Sequence, residues 1–179
     1  MGHDKALTHV GDATMAEHAA AALGEVCERV VTVGRSEPVA GMEAYADPGG
    51  RYQGPLAGLV AALRHAEGGW VALVAVDQPW VDPTTISRLD ERATSLQVVP
   101  VDGGVRQTTC AVYPATVLEE ATEELEAGGS IQSLLDRVAF DPVVEEEWRS
   151  WGEDGRSWFS ADTPEAIDEG RRRFGEPGT

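Results

Sequence analysis

The stretch WVALVAVDQP, residues 70–79, decides the fold. Seven apolar residues run from Trp70 to Val76 and stop at Asp77. The run is far short of the ~20 residues a membrane-spanning helix needs. A short, continuous apolar run closed by an acid and a proline has the pattern of a β-strand covered on both faces, as parallel strands in α/β sheets are. In such sheets ligands bind beyond the carboxyl ends of the strands, so the polar residue that ends this one, Asp77, occupies a position worth testing. The competing reading is a turn or helix cap ahead of Pro79 and Pro83.

Upstream, GPLAGLVAALRHA (54–66) places Pro55 at a first helical position, which its missing N–H permits, and sets Leu56, Leu59, Val60 and Leu63 on one face. RVVTVG (29–34) reads as a buried strand. Before it, Thr14 to Glu17 form a capping-box sequence, followed by Met15, Ala19, Ala22, Leu23 and Val26 at helical spacing. Downstream, Ile86 and Leu89 mark a short helix after Pro83, and LQVVPV and TTCAVY read as strands. Val117, Leu118, Ala121 and Leu125 share one helical face, and Ile131, Leu134, Leu135 and Val138 another, with Gly128 and Gly129 between them. A last helix starts near Thr163. Its terminal Arg171, Arg172 and Arg173 offset the helix dipole. Alternating strands and helices predict a three-layer α/β domain with a mostly parallel sheet, one domain over residues 1–174 and a tail at 175–179.

Composition narrows the function. The chain of 179 residues carries a net charge of −17, which would repel nucleic-acid phosphates, so no nucleic-acid partner is expected. No membrane association is expected either, and the opening residues lack a basic-then-apolar leader, so the expectation is a soluble cytoplasmic protein. Cys27 and Cys110 are far apart and out of metal spacing, and His3, His9, His18 and His65 show no ligand pattern. Lys5 is the only lysine against 13 arginines, and it is flanked by Asp4 and Ala6 close to the start. The glycine-rich PGGRYQGPLAG (48–58) is longer than a plain connection needs and leads into a helix whose free N–H groups could receive an anion or a base edge. Asp47, just before it, reads on its own as ordinary Asp-Pro-Gly turn chemistry.

Four motifs, in order along nearly the whole chain, resemble the signature of the molybdenum cofactor guanylyltransferases: MGHDKAL, GPLAGL, VAVDQP and SADTPEAID. The resemblance implies a Rossmann-like nucleotidyltransferase that moves GMP from GTP to molybdopterin and releases pyrophosphate. It implies that Lys5 and Asp77 are catalytic and that Lys5, Asp47, Gly54, Pro55 and Asp77 bind nucleotide, with Asp47 at the guanosine end. Mg²⁺ would be held by Asp77 and Asp162, although Asp162 could equally cap the helix that begins at Thr163. Asp4 and the GPLAG sequence favour guanine over cytosine. The partners implied are GTP, a molybdopterin-type cofactor, and molybdoenzymes or cofactor-biosynthesis proteins. Where members of the family often carry an Asn beside the nucleotide, this sequence has Val33 and Gly34. Ahead of Met-Gly the family carries a β-strand and a Leu-Ala-Gly-Gly loop, so the expected fold has its first strand missing, with Met1 at the internal methionine of an Arg-Met-Gly motif. The alternatives are another nucleotidyltransferase of the same fold (cytidylyl, sugar-phosphate or phospholactate) or a non-catalytic binding protein.

The chemistry of such a reaction suits these residue types. Attack of one phosphate on another brings two anions together, so the site must neutralise charge rather than supply a covalent nucleophile. One or two carboxylates with Mg²⁺, and a lysine, do that.

Overall fold

The computed structural model describes residues 4–46 and 54–178. A 3₁₀ turn, Lys5–Leu7, is followed by a small hairpin of β1 (His9–Val10) and β2 (Ala13–Thr14), then α1 (Met15–Gly24), β3 (Val31–Val33) and β4 (Glu43–Tyr45). The middle of the chain holds α2 (Pro55–Leu63), β5 (Trp70–Val74), α3 (Pro83–Arg92), β6 (Gln97–Asp102), β7 (Val105–Arg106) and β8 (Cys110–Pro114). α4 (Leu118–Glu126), α5 (Ile131–Arg137), β9 (Phe140–Val143), α6 (Glu145–Ser150) and α7 (Pro164–Phe174) complete it.

The local signals act as expected. Thr14 accepts from the Glu17 N–H and Glu17 reaches back to the Thr14 N–H, closing the capping box of α1. Pro55 opens α2, and α3 is capped by Asp82, a residue the sequence reading did not mark. The three layers follow from the alternation of side chains along the strands. Val71, Leu73, Val99, Ala111 and Tyr113 face α2, α4 and α5, meeting Leu59, Val60, Ala121, Ile131 and Leu134. Trp70, Ala72, Val74, Val98, Cys110 and Val112 face the other way, toward Ala22 of α1, Ile86 and Leu89 of α3, and Trp148 of α6. Each fully buried Leu or Ile in these clusters contributes about 1.5–3 kcal/mol by leaving water.

Strand direction is more mixed than the apolar run at 70–76 implied. β5 pairs antiparallel with β8, Leu73 opposite Ala111, rather than with a parallel neighbour. β8 is also antiparallel to β6, whereas β9 runs parallel to β6. β5, β6 and β9 therefore share one direction and β8 opposes them. The reversal comes from Gly103 and Gly104, both at positive φ, which let β6 turn tightly into β7 so that the chain re-enters between β5 and β6 as β8. A continuous apolar run reports burial on two faces and says nothing about direction.

β3 and β4 form a separate parallel pair, Thr32 opposite Ala44. Among the described residues no backbone ladder joins that pair to the five-stranded sheet, although β3 and β5 both pack against α2. The approach of β3 to α2 is close. A Cβ on Gly58 would lie 2.9 Å from Cγ2 of Val33, so only glycine fits there without a shift.

Candidate active site

Asp77 follows β5 by three residues, at the strand's carboxyl end. Its loop is held by hydrogen bonds on either side of it. The Ala75 N–H donates to the carbonyl of Thr109 (3.0 Å) and to Oε1 of Gln78 (3.0 Å). The buried Gln78 amide donates in turn to Oγ1 of Thr109 at 3.3 Å. These bonds occupy the neighbours and leave the Asp77 carboxylate for other work. α3 is capped by Asp82, not by Asp77, so Asp77 stands in the turn after β5 and is not that helix's cap.

The second carboxylate arrives from the far end of the chain. Glu153, buried at 4 % exposure, accepts from the Thr85 hydroxyl (2.6 Å), the Ser157 hydroxyl (2.5 Å) and the Gly155 N–H (2.7 Å). The Asp82 N–H donates to Oγ of Ser157 at 3.0 Å, so the segment is fastened to the first turn of α3. Beyond it, Trp80 packs with Phe159 and Phe174, and its indole N–H donates to the Gly175 carbonyl at 2.8 Å. The Ala161 N–H then donates to the Asp77 carbonyl at 2.7 Å, and the Ser160 hydroxyl to Oδ2 of Asp77 at 3.2 Å. That latch brings Asp162 to Asp77. Thr163, not Asp162, caps α7, accepting from the Ala166 N–H at 3.1 Å, so the second cap reading falls away too.

Lys5 completes the group. Asp4 caps the short turn by accepting from the Ala6 N–H (3.1 Å), and Ala6 is buried with Ala16 and Val39 against Val76. Val76 also packs in the Trp80 cluster, so one residue beside Asp77 touches the supports of both Lys5 and Asp162. Nζ of Lys5 is hydrogen-bonded to Oδ1 of Asp162 and lies 3.8 Å from Oδ2 of Asp77. The Asp77 side chain is 21 % exposed, against 50 % for Lys5 and 54 % for Asp162. Burial first, and then the hydrogen bond and charge of Asp162, push the Asp77 carboxyl above its ordinary range. The hydrogen bond from Lys5, and then Asp77, hold the Asp162 carboxyl below it. Two nearby carboxylates of unequal burial, bridged by an ammonium, form a pair that needs positive charge.

The structure thus brings together Lys5, Asp77 and Asp162, three of the residues singled out in the sequence. Gly54 and Pro55 stand at the start of α2, with Gly54 at φ 85° and no side-chain cap on the helix. Asp47 lies outside the described residues. Asp4 has structural work: besides capping the turn, it pairs with Arg35 at 3.2 Å, tying the end of β3 to the lysine. Ser160 was not singled out, because a serine in an acidic loop carries no sequence signal until the loop is seen to fold onto Asp77.

The donor set suits Mg²⁺. Two carboxylates from different elements offer hard oxygen ligands, and among the described residues no cluster of three or more His, Cys, Asp or Glu forms a fuller cage. Mg²⁺ commonly takes one or two protein carboxylates and fills its remaining positions with water and substrate phosphate.

A three-layer α/β domain with Rossmann-like architecture, gathering a lysine and two carboxylates beyond the carboxyl end of a strand, belongs to the class of nucleotide-handling domains. Comparison with known proteins gives the family. The chain belongs to the MobA-like NTP transferase domain family, which matches residues 1–143. It is 35 % identical over 129 residues to the Bacillus licheniformis protein named "Probable molybdenum cofactor guanylyltransferase", an overlap of 68 % of this chain and 64 % of that one. A protein of the same name from Pelotomaculum thermopropionicum is 30 % identical over 174 residues, covering 93 % of this chain and 83 % of that one. The chain thus spans just under two thirds of the Bacillus relative. Among solved structures, molybdopterin-guanine dinucleotide biosynthesis protein A from Archaeoglobus fulgidus superposes with a TM-score of 0.81 over 96 % of this chain and 91 % of that one. At 22 % identity, that likeness speaks for the fold. No helix among the described residues is long and apolar enough to cross a membrane.

Proposed function

We propose that the chain is a molybdenum cofactor guanylyltransferase, moving GMP from GTP to the terminal phosphate of a molybdopterin-type cofactor. The observation that carries the reading is the convergence of Lys5, Asp77 and Asp162, from both ends and the middle of the sequence, at one strand end. An oxygen of the acceptor phosphate attacks the α-phosphorus of GTP. The bond from that phosphorus to the bridging oxygen breaks, and pyrophosphate leaves with the electron pair. Lys5 supplies a positive charge on a flexible stem, able to leave the carboxylates and meet phosphate oxygens as charge builds there. Ser160 and the Ala161 N–H hold Asp77 and its loop in register with Asp162. Asp77 and Asp162 would hold Mg²⁺, which when bound neutralises phosphate charge. The chain as a whole, at −17, opposes anionic substrates, so these cations must act locally.

The test is pyrophosphate release with GTP, CTP and ATP in the presence of a pterin phosphate acceptor. GTP is expected to be preferred by about tenfold or more in kcat/KM, a difference of roughly 1.4 kcal/mol in transition-state binding. Lys5→Ala should lower turnover about 100-fold or more, as loss of a comparable electrostatic group does. A CTP preference would move the chain to cytidylyl transfer. Near-normal turnover in the variant would remove Lys5 from the mechanism.

A further inference from the structure

Arg35 follows β3 by two residues, at the carboxyl end of that strand, where the Gly34 N–H closes the ladder by donating to the Tyr45 carbonyl at 3.0 Å. The loop beyond it returns beneath the lysine, because Val39 is buried with Ala6 and Ala16. The segment that carries Arg35 and the turn that carries Lys5 therefore share one small core. The guanidinium itself is only partly engaged. Nε donates to the Glu37 carbonyl at 2.9 Å and Nη2 to Oδ2 of Asp4 at 3.2 Å, while Nη1 has no partner among the described residues. Arg92 and Arg137 differ in this respect: Arg92 forks onto both oxygens of Asp141 and also meets Glu147, and Arg137 spans Glu123 and Glu124.

Asp4 divides its work between its two oxygens. Oδ1 caps the Lys5 turn by accepting from the Ala6 N–H at 3.1 Å, and Oδ2 meets Arg35. The pair can thus open without undoing the cap. It is also lightly held, since the Asp4 side chain is 48 % exposed and an exposed ion pair is worth little in water. A phosphate offers the planar guanidinium two parallel bonds, where Asp4 accepts one.

We propose that Arg35 is a second phosphate-binding cation and that Asp4 occupies it in the empty protein. On binding, Arg35 gives up Oδ2 of Asp4 and takes the oxygens of a nucleotide phosphate with both terminal nitrogens, while Asp4 goes on capping the turn. The self-pairing lowers the apparent affinity by the fraction of molecules in which Arg35 is occupied. The proposal rests on the reading above that GTP phosphates lie beside Lys5, whose Cα is about 3.8 Å from that of Asp4.

The experiment measures GTP binding with Mg²⁺ by calorimetry on the protein, on Arg35→Ala, Arg35→Lys and Asp4→Asn, and on the double variant Asp4→Asn with Arg35→Ala. Thermal melts verify folding, and pyrophosphate release with a pterin phosphate acceptor is followed alongside. Arg35→Ala should weaken GTP binding about tenfold, the size of a hydrogen bond to a charged group, and Arg35→Lys should recover part of that loss, since it restores the charge and not the fork. Asp4→Asn keeps an oxygen for the cap and should tighten GTP binding by about two- to fivefold, the size of an exposed ion pair. That gain should vanish in the double variant, because it acts through Arg35. A pair that only ties β3 to the Lys5 turn gives the opposite pattern, with both single variants weakening binding, and that result overturns the proposal. So does GTP affinity unchanged in Arg35→Ala, a gain in Asp4→Asn that persists without Arg35, or no GTP binding by the unaltered protein. Should Arg35→Ala not fold, Arg35→Lys takes its place with a loss of about threefold expected; should Asp4→Asn not fold, Asp4→Ser, which also caps, replaces it. If GTP binds with this dependence on Arg35 and Asp4 but no pyrophosphate is released, the phosphate site stands and the transfer reading fails. If pyrophosphate is released and Arg35→Ala matches the unaltered protein, the transfer reading stands and Arg35 is removed from it.

Discussion

Asp77 is held where its charge is costly. It is more buried than its partners, faces Asp162, and has one lysine and one hydroxyl to offset it. The proposed mechanism asks for a charge there and stability does not, a trade-off seen where sites hold electrostatic strain. Asp77→Asn should therefore end pyrophosphate release and, without Mg²⁺, raise the melting temperature by about 2–4 °C, the shift expected from ~1 kcal/mol in a domain this size. A fall in melting temperature would mean that the carboxylate is structural. Glu124 is the opposite case. Hydrogen bonds from Arg137 (2.8 Å) and then Ser133 (2.6 Å) hold its carboxyl below the ordinary 4.5. A depressed folded value stabilises the fold above the ordinary value and loses that contribution as pH falls through the depressed one. Glu124→Gln should lower stability at pH 7 and flatten the decline expected in melts as the pH falls below the ordinary 4.5. An unchanged acid slope would remove Glu124 as a source of acid sensitivity.

At the scale of elements, most of the helices were legible because a start signal or an apolar stripe marks them: Thr14 with Met15 and Ala19, Pro55 with Leu59 and Val60, Thr163 before Pro164. β9 and α6 were not legible. β9 reads Phe-Asp-Pro-Val, and Pro142 within it removes a backbone donor, which only an edge or irregular position tolerates. What places it is pairing with β6, Val99 opposite Pro142, and no local pattern encodes that. The site divides in the same way. Asp77 was visible because it interrupts an apolar run, whereas its meeting with Asp162 depends on how α7 docks, and that docking turns on Gly170. A Cβ there would run into the Trp80 ring, whose indole holds Gly175. Gly170→Ala should therefore destabilise by about 1–3 kcal/mol, the usual cost of overpacking, despite the alanine's better helix propensity. Because the same helix follows Asp162 directly, the variant should also need more Mg²⁺ for half-maximal activity. A fully stable Gly170→Ala protein would show that α7 is not seated on Trp80.

Over the whole molecule, stability is unevenly spread. Every residue of β8 is buried and β6 is buried over Gln97–Pro100, whereas all of β3 is only half-buried and its sole strand partner among the described residues is β4. Few buried apolar contacts and a two-stranded ladder give a region that opens locally at lower free energy than the core. That region is coupled to the site, because Arg35, just past β3, pairs with Asp4 next to Lys5. A ligand that binds only the closed arrangement stabilises it by mass action, so nucleotide held by Lys5 should be felt in β3 and β4. Hydrogen exchange read by mass spectrometry should therefore show β3 and β4 exchanging well before β6 and β8 in the protein alone. Added GTP and Mg²⁺ should slow exchange in the Lys5 turn and in β3 and β4, leaving β6 and β8 unchanged. Uniform protection before ligand would contradict the uneven ledger of burial, and slowing confined to the Lys5 turn would show that the Asp4–Arg35 pair does not couple the β3–β4 unit to the site.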